Sequence, residues 1–283
     1  MLKLSSLFNG HRRRWLYGLF SIVIALSIGL TNVQSARAVS WFELLIRGTQ
    51  ILQLSTMSDE QEIELGKQIN QQLIDSGQAK IYRDRTITKY INDIGQLLAK
   101  NSDRPDIPYT FQVVDDKNIN AFATMGGFVY INTGLILKAE NEAELASVIG
   151  HEIGHIVGRH ALKQMRETAI AQGVLSSAGL DTSQAVQIGV ELALTRRNSR
   201  QDELEADSFG LENLKKAGYA PIGMLGFMQK LLEAGGGSTP TFLSTHPATS
   251  ERIRLLEKDI DAATARSGYG LDSRDYQNKI SRL

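Results

Sequence analysis

The chain has 283 residues, 42% of them apolar and 22% charged, a composition that suits one globular domain of ordinary size plus accessories. It has no cysteine, which excludes disulfides and thiolate metal sites. Residues 1–38 hold five of the 31 basic residues (Lys3, Arg12, Arg13, Arg14, Arg37) and none of the 31 acidic ones, so the remainder carries a net charge of −5, which argues against a nucleic-acid partner.

In chain order, residues 1–38 read as a signal peptide: basic residues precede an apolar run from Trp15 to Leu30, and Ala36-Arg37-Ala38 offers an A-x-A cleavage site. The run has 16 residues and includes Gly18, Ser21, Ser27 and Gly29. A comfortable span needs ~20, so a signal anchor is the alternative, with membrane association through this segment. Both readings place the rest of the chain outside the cytoplasm, in the periplasm or an equivalent compartment.

Residues 39–56 are expected to be a linker, 57–265 the main domain and 266–283 a loosely ordered polar tail. Ser58 and Gln61 have capping-box spacing, and Ile63, Ile69 and Leu73 continue at helical intervals until Gly77. Ile87, Tyr90, Ile91, Ile94 and Leu98 mark a second helix ending near Asn101. Tyr109, Phe111 and Val113 alternate as a strand, expected to pair with a second one from Phe128 to Ile131. Asn141 and Glu144 are placed to cap the following helix. Residues 166–195 are Ala-rich and apolar with a break at Gly179-Leu180-Asp181, giving two helices or a mobile lid. Gly235-Gly236-Gly237-Ser238 reads as a flexible loop. The expected class is α+β, mainly helical, with a small sheet.

The chemistry sits in His151-Glu152-Ile153-Gly154-His155. Helical residues advance ~100° each, so the two imidazoles lie ~40° apart and can share a metal ion, while Glu152 is offset and free to act as a base. A His-x-x-Gly-x-x-His continuation would need histidine at 161, which is Ala161. His160 comes one residue early, ~100° off on a continuous helix, and is read as a solvated or capping histidine. The better third ligand is Glu203, four residues before Asp207 on a helix where Leu204, Ala206, Leu211 and Leu214 interleave with the acids; Glu205 is the reserve. Asp207 is placed to orient His151 or His155. An ordinary solvated acidic face is the plainer alternative.

With these residues on the page, the chain resembles the HtpX-like and prenyl-protease-type gluzincin zinc metalloendopeptidases, in particular their soluble BepA/LoiP-like envelope branch. The resemblance covers roughly residues 57 to 265. It rests on His151 to Ala161, on the S-R-x-x-E-x-E-A-D run from Ser199 to Asp207, on Asn120-Ala121-Phe122-Ala123 leading into Gly126 to Ile131, and on His246-Pro247 followed by Arg252-Ile253. It implies a zincin-like catalytic domain and one Zn2+ per chain held by His151, His155 and Glu203. It also implies Glu152 as catalytic acid/base, Asp207 and Arg252 beside the ligands, and misfolded or misassembled envelope proteins as substrates. Outside the motifs, no tetratricopeptide-like tail follows residue 265 and the multiple spans of the integral-membrane members are absent.

Two assignments stay open at this point. The Phe128 strand is expected to lie at the sheet edge, where a peptide adds by main-chain hydrogen bonds; this makes Asn120, Gly127, Phe128, Val129 and Tyr130 substrate-binding candidates, with a structural hairpin as the alternative. His246 precedes Pro247, which is expected to open a helix. Its imidazole then either stabilises an oxyanion or closes the metal as a fourth ligand, a surface loop histidine being the bland reading. Two further functions remain beside the peptidase: a chaperone-like or self-inhibited member with little proteolysis, and a non-peptidase zinc amide hydrolase.

Overall fold

The computed structural model describes residues 51–176, 179–195, 198–234, 241–247 and 250–283. The expected signal segment, the linker up to residue 50 and the Gly235–Ser238 loop lie outside the described residues.

Strand β1 (Ile51–Leu52) pairs antiparallel with β5 (Leu180–Asp181), and Leu52 and Leu54 are buried. The last residues of the expected linker are therefore packed against the domain. Helix α1 (Asp59–Asp75) begins at the expected capping box: the Ser58 hydroxyl accepts from the Gln61 N–H, and the Gln61 side chain accepts from the Ser58 N–H. Helix α2 (Arg85–Lys100) is capped by Asp84 and ends at Asn101, burying Ile87, Ile91, Ile94 and Leu98 on one stripe.

Three strands form the central sheet: β2 (Thr110–Val114), β3 (Ala121–Thr124) and β4 (Phe128–Asn132), in the order β2-β4-β3. β4 runs parallel to β2, with Phe111 opposite Val129, and antiparallel to β3, with Ala123 opposite Val129. A short turn, Met125–Gly127, joins β3 to β4 with Gly126 and Gly127 at φ 76° and 94°, where a side chain would be strained.

This order corrects one expectation. The Phe128 strand is central, and the edge beside it belongs to β3. All five β4 residues are buried, as a continuous apolar run between two partners requires.

Helix α3 (Thr133–Lys138) leads to α4 (Glu142–Val157), whose Asn141 side chain caps the Glu144 N–H. Every residue from Ala143 to Ile156 is buried, so α4 is the axis of the core. It packs against α7 (Arg200–Ala217) at very short range: a β-carbon on Gly154 would lie 2.6 Å from the Ala206 carbonyl oxygen. Between them in sequence come α5 (His160–Ala171) and α6 (Thr182–Thr195), the two helices expected from the 166–195 segment.

The chain closes with α8 (Ile222–Ala234), α9 (Thr241–Thr245), α10 (Ser250–Asp259) and α11 (Ser273–Lys279). The tail is docked, contrary to expectation: Tyr276 and Ile280 are buried, the Tyr276 hydroxyl donates to the Ile136 carbonyl at 2.6 Å, and the Ala143 N–H donates to the Gly270 carbonyl. Two apolar anchors hold an otherwise polar segment. No described helix is long and apolar enough to cross a membrane.

Candidate metal centre

Residues from α4, α7 and the segment after α9 converge at one buried point. His151 Nε2 and His155 Nε2 lie 3.1 Å apart, and His246 Nδ1 is 3.3 Å from each. Glu203 Oε1 is 3.1 Å from His246 Nδ1 and 3.4 Å from His155 Nε2, while its Oε2 is 3.5 Å from His151 Nε2. One donor atom from each of the four residues fits within 4.8 Å of all the others.

Three imidazole nitrogens and a carboxylate facing one another at these distances repel through their lone pairs unless positive charge sits among them. The set therefore fits a metal ion, and it offers nitrogen and oxygen donors only.

The electrostatics of the protein groups agree. Burial works to raise the Glu203 pKa, but the surrounding imidazoles of His246, His151 and His155 win and hold it well below the usual carboxylate range. Burial works to lower His151, yet the Asp207 and Glu203 carboxylates lift it to about 9. His155, driven down mainly by burial and also by the neighbouring His151, falls to about 3.

The support around His151 is a buried ion pair. Asp207 Oδ1 is 3.0 Å from His151 Nδ1, within hydrogen-bond reach of the ring. Arg252, on α10, grips Asp207 with two bonds, Nε to Oδ2 at 2.6 Å and Nη2 to Oδ1 at 2.7 Å, and its Nη1 donates to Glu203 and to the Pro247 carbonyl. Only 3% of Arg252 is exposed, so its charge acts on these carboxylates with little screening by water.

Glu152 stands apart from that order. It is fully buried, neither carboxylate oxygen has a hydrogen-bond partner, and its Oε1 lies 3.6 Å from His246 Nε2. Burial raises its pKa above the ordinary glutamate value, partly offset by His246 and His151. It faces a cleft bordered by His155, His246, the β3 residues Phe122, Ala123 and Thr124, and Gly189 and Leu192 of α6.

The sequence-derived substrate candidates are placed differently. Phe128, Val129 and Tyr130 lie on β4, whose main chain is paired on both sides, and Gly127 sits in the turn. Their backbone has no open side to offer a peptide. Asn120 directly precedes β3, the strand that does border the cleft. The low strand propensity of Ala-Phe-Ala-Thr concealed that edge.

His246 also differs from its expected setting. It follows α9, its N–H bonds to the Phe242 carbonyl at 2.7 Å and its ring stacks on Phe242 at 4.5 Å. Pro247 itself lies outside the helix, and the described residues of α10 run from Ser250.

Two neighbours of the centre escaped the sequence reading. His160 is buried, with Nδ1 2.8 Å from His155 Nδ1. Asn198 Nδ2 lies 3.1 Å from His246 Nδ1, and its Oδ1 accepts from Gln164 at 2.6 Å. His160 was misplaced by assuming an unbroken helix; Asn198 carries no recognisable spacing signal. Glu205, the reserve ligand, points to His160 instead of the centre, at 3.3 Å.

Residues 86–260 match the profile of peptidase family M48. The Beta-barrel assembly-enhancing protease of Escherichia coli (strain K12) is 33% identical over 215 residues, covering 70% of this chain and 44% of that protein. Two further Escherichia coli (strain K12) proteins are 28% identical: Metalloprotease LoiP over 255 residues (86% of this chain, 97% of that protein) and Metalloprotease YcaL over 239 (82% and 92%). The chain thus spans under half the length of the assembly-enhancing proteases it matches. A profile that covers more than half of the chain, together with four convergent donors around an H-E-x-x-H helix, means that this chain belongs to peptidase family M48.

Proposed function

We propose that this chain is an exported zinc-dependent metalloendopeptidase that hydrolyses peptide bonds of misfolded or misassembled envelope proteins. The observation that carries this reading is Glu152: a buried carboxylate without hydrogen bonds, next to four metal donors and facing a cleft. Burying such a group unpaired costs folding free energy, and a perturbed carboxylate kept beside a cleft is what proton transfer calls for.

In this reading one zinc per chain is held by His151, His155 and Glu203, with His246 as a fourth donor in the resting site. Zinc, when bound, polarises the scissile carbonyl and acidifies water. Glu152 takes the proton of the attacking water and delivers it to the departing amine; its raised pKa suits both halves of that task. Arg252 and Asp207 hold the His151 ring in place. An extended substrate adds to β3, which among the described residues pairs with β4 alone. Main-chain pairing asks little of substrate sequence, which fits the disposal of damaged proteins. His246 is assigned as a donor because its Nδ1 faces the other three while its Nε2 faces Glu152.

Incubating zinc-loaded protein with unfolded casein tests the reading. Glu152→Gln is expected to lower cleavage by ~10²–10⁴-fold with zinc content unchanged. A wild type that cleaves no protein but hydrolyses a small amide points to the non-peptidase alternative; cleavage of neither points to a self-inhibited or chaperone-like protein. His246→Ala is expected to raise turnover if the side chain closes the resting site, and a steep fall would instead make it a transition-state stabiliser. Export is checked by fusing residues 1–50 to a reporter active only outside the cytoplasm.

A further inference from the structure

His155 carries a second support that differs from the one around His151. The chain leaves α4 at Val157 and reverses through Gly158 and Arg159 before α5 begins. Arg159 sits at φ 53°, the only positive φ outside glycine among the described residues. Such a conformation costs free energy and persists where surrounding contacts over-determine it. Here the Arg159 guanidinium donates to the Met57 carbonyl at 2.7 Å and lies 2.9 Å from Glu62.

The reversal folds the His160 ring back beneath His155, with ring centroids 5.0 Å apart. Gly158 leaves the space for it, since a β-carbon there would fall 2.4 Å from His160 Nε2. His160 is 2% exposed, so it is neither solvated nor a surface cap.

We propose that His160 is a positioning residue that fixes the tautomer and orientation of His155, so that Nε2 of His155 is presented to the metal. The inference rests on the zinc reading above. His155 Nε2 faces His151, His246 and Glu203, so its lone pair is the metal-facing one and the ring hydrogen belongs on Nδ1. That hydrogen points at His160 Nδ1, 2.8 Å away, which must accept. His160 then carries its own hydrogen on Nε2, 3.3 Å from the Glu205 carboxylate and 3.9 Å from Asp202. With one hydrogen on each ring, His155 donates to His160 and His160 donates on to a carboxylate, so the chain runs in one direction only. Ligating histidines usually donate to a carboxylate or carbonyl; here an imidazole stands between ligand and carboxylate.

The test compares wild type, His160→Leu and His160→Asn. Zinc affinity is measured by competition with a chromophoric chelator, and ligand geometry by the visible spectrum of the cobalt-substituted protein. Removal of a supporting group of this kind weakens metal binding ~10–100-fold, the loss expected for His160→Leu. His160→Asn restores an acceptor near the Nδ1 position and is expected to recover affinity to within a few-fold of wild type, with a wild-type cobalt spectrum. A His160→Leu protein that binds zinc within twofold of wild type overturns the proposal, as does equal weakening in both variants. Should His160→Leu fail to fold, nitrogen-15 NMR of the zinc-loaded wild type decides: hydrogen on Nε2 of His160 supports the relay, and hydrogen on Nδ1 overturns it. A wild type that binds no zinc overturns the zinc reading itself, an outcome distinct from unchanged affinity in the variant.

Discussion

His151 and His155 sit one turn apart on α4, yet their outward nitrogens meet unlike partners. On one side Asp207 and Arg252 form a buried bidentate pair that also holds Glu203, drawing together α4, α7 and α10. On the other, His160 leads to Glu205, whose side chain is 48% exposed. Charge that is removed from water keeps its strength, whereas a chain of hydrogen bonds ending at the surface is screened. One support is therefore part of the fold's energetics, and the other chiefly sets the direction of a single ring.

The strongest way to break this contrast is Arg252→Ala. It leaves Asp207 and Glu203 buried without their cation, and loss of one partner from such a cluster costs about 3–5 kcal/mol. Denaturant unfolding measures it, and Arg252→Lys, which keeps the charge without the planar fork, is expected to fall in between. Gly154→Ala strikes both sides at once: its methyl group would meet the Ala206 carbonyl, so α4 and α7 must separate. Overpacking of this kind costs about 1–3 kcal/mol, and weaker zinc binding is expected to accompany the loss of stability.

The smallest effect lies far from the centre and serves as a control. Asp272 caps α11 by accepting from the Arg274 and Asp275 N–H groups, which hold its pKa below the ordinary 3.8. A depressed carboxylate contributes stability in full above 3.8 and loses it as pH falls through the lower folded value. The difference in melting temperature between wild type and Asp272→Asn is expected to be constant near neutrality and to shrink only at acid pH. Zinc affinity should not move.

Signals that act over one helical turn were legible in the sequence. Ser58 with Gln61 and Asn141 with Glu144 are local hydrogen-bonding patterns, and both caps form as read. The pairing of His151 with His155 and of Glu203 with Asp207 follows from the same four-residue spacing. What failed needed tertiary knowledge. The position of His160 depends on a left-handed Arg159, which depends in turn on Met57 and Glu62 about a hundred residues earlier. Phe-Val-Tyr-Ile reads equally as an edge or a centre until the partner strand Ala121–Thr124 is found. Tyr276 gives no periodic pattern in its polar surroundings, yet it bonds to Ile136.

The Arg252 clamp also ties together distant stretches of the chain. Its guanidinium is encoded 45 residues after Asp207 and 49 after Glu203. The two acids on α7 and the cation that bridges them on α10 thus come from separate stretches of chain, and the bridge forms only when both stretches are folded against each other.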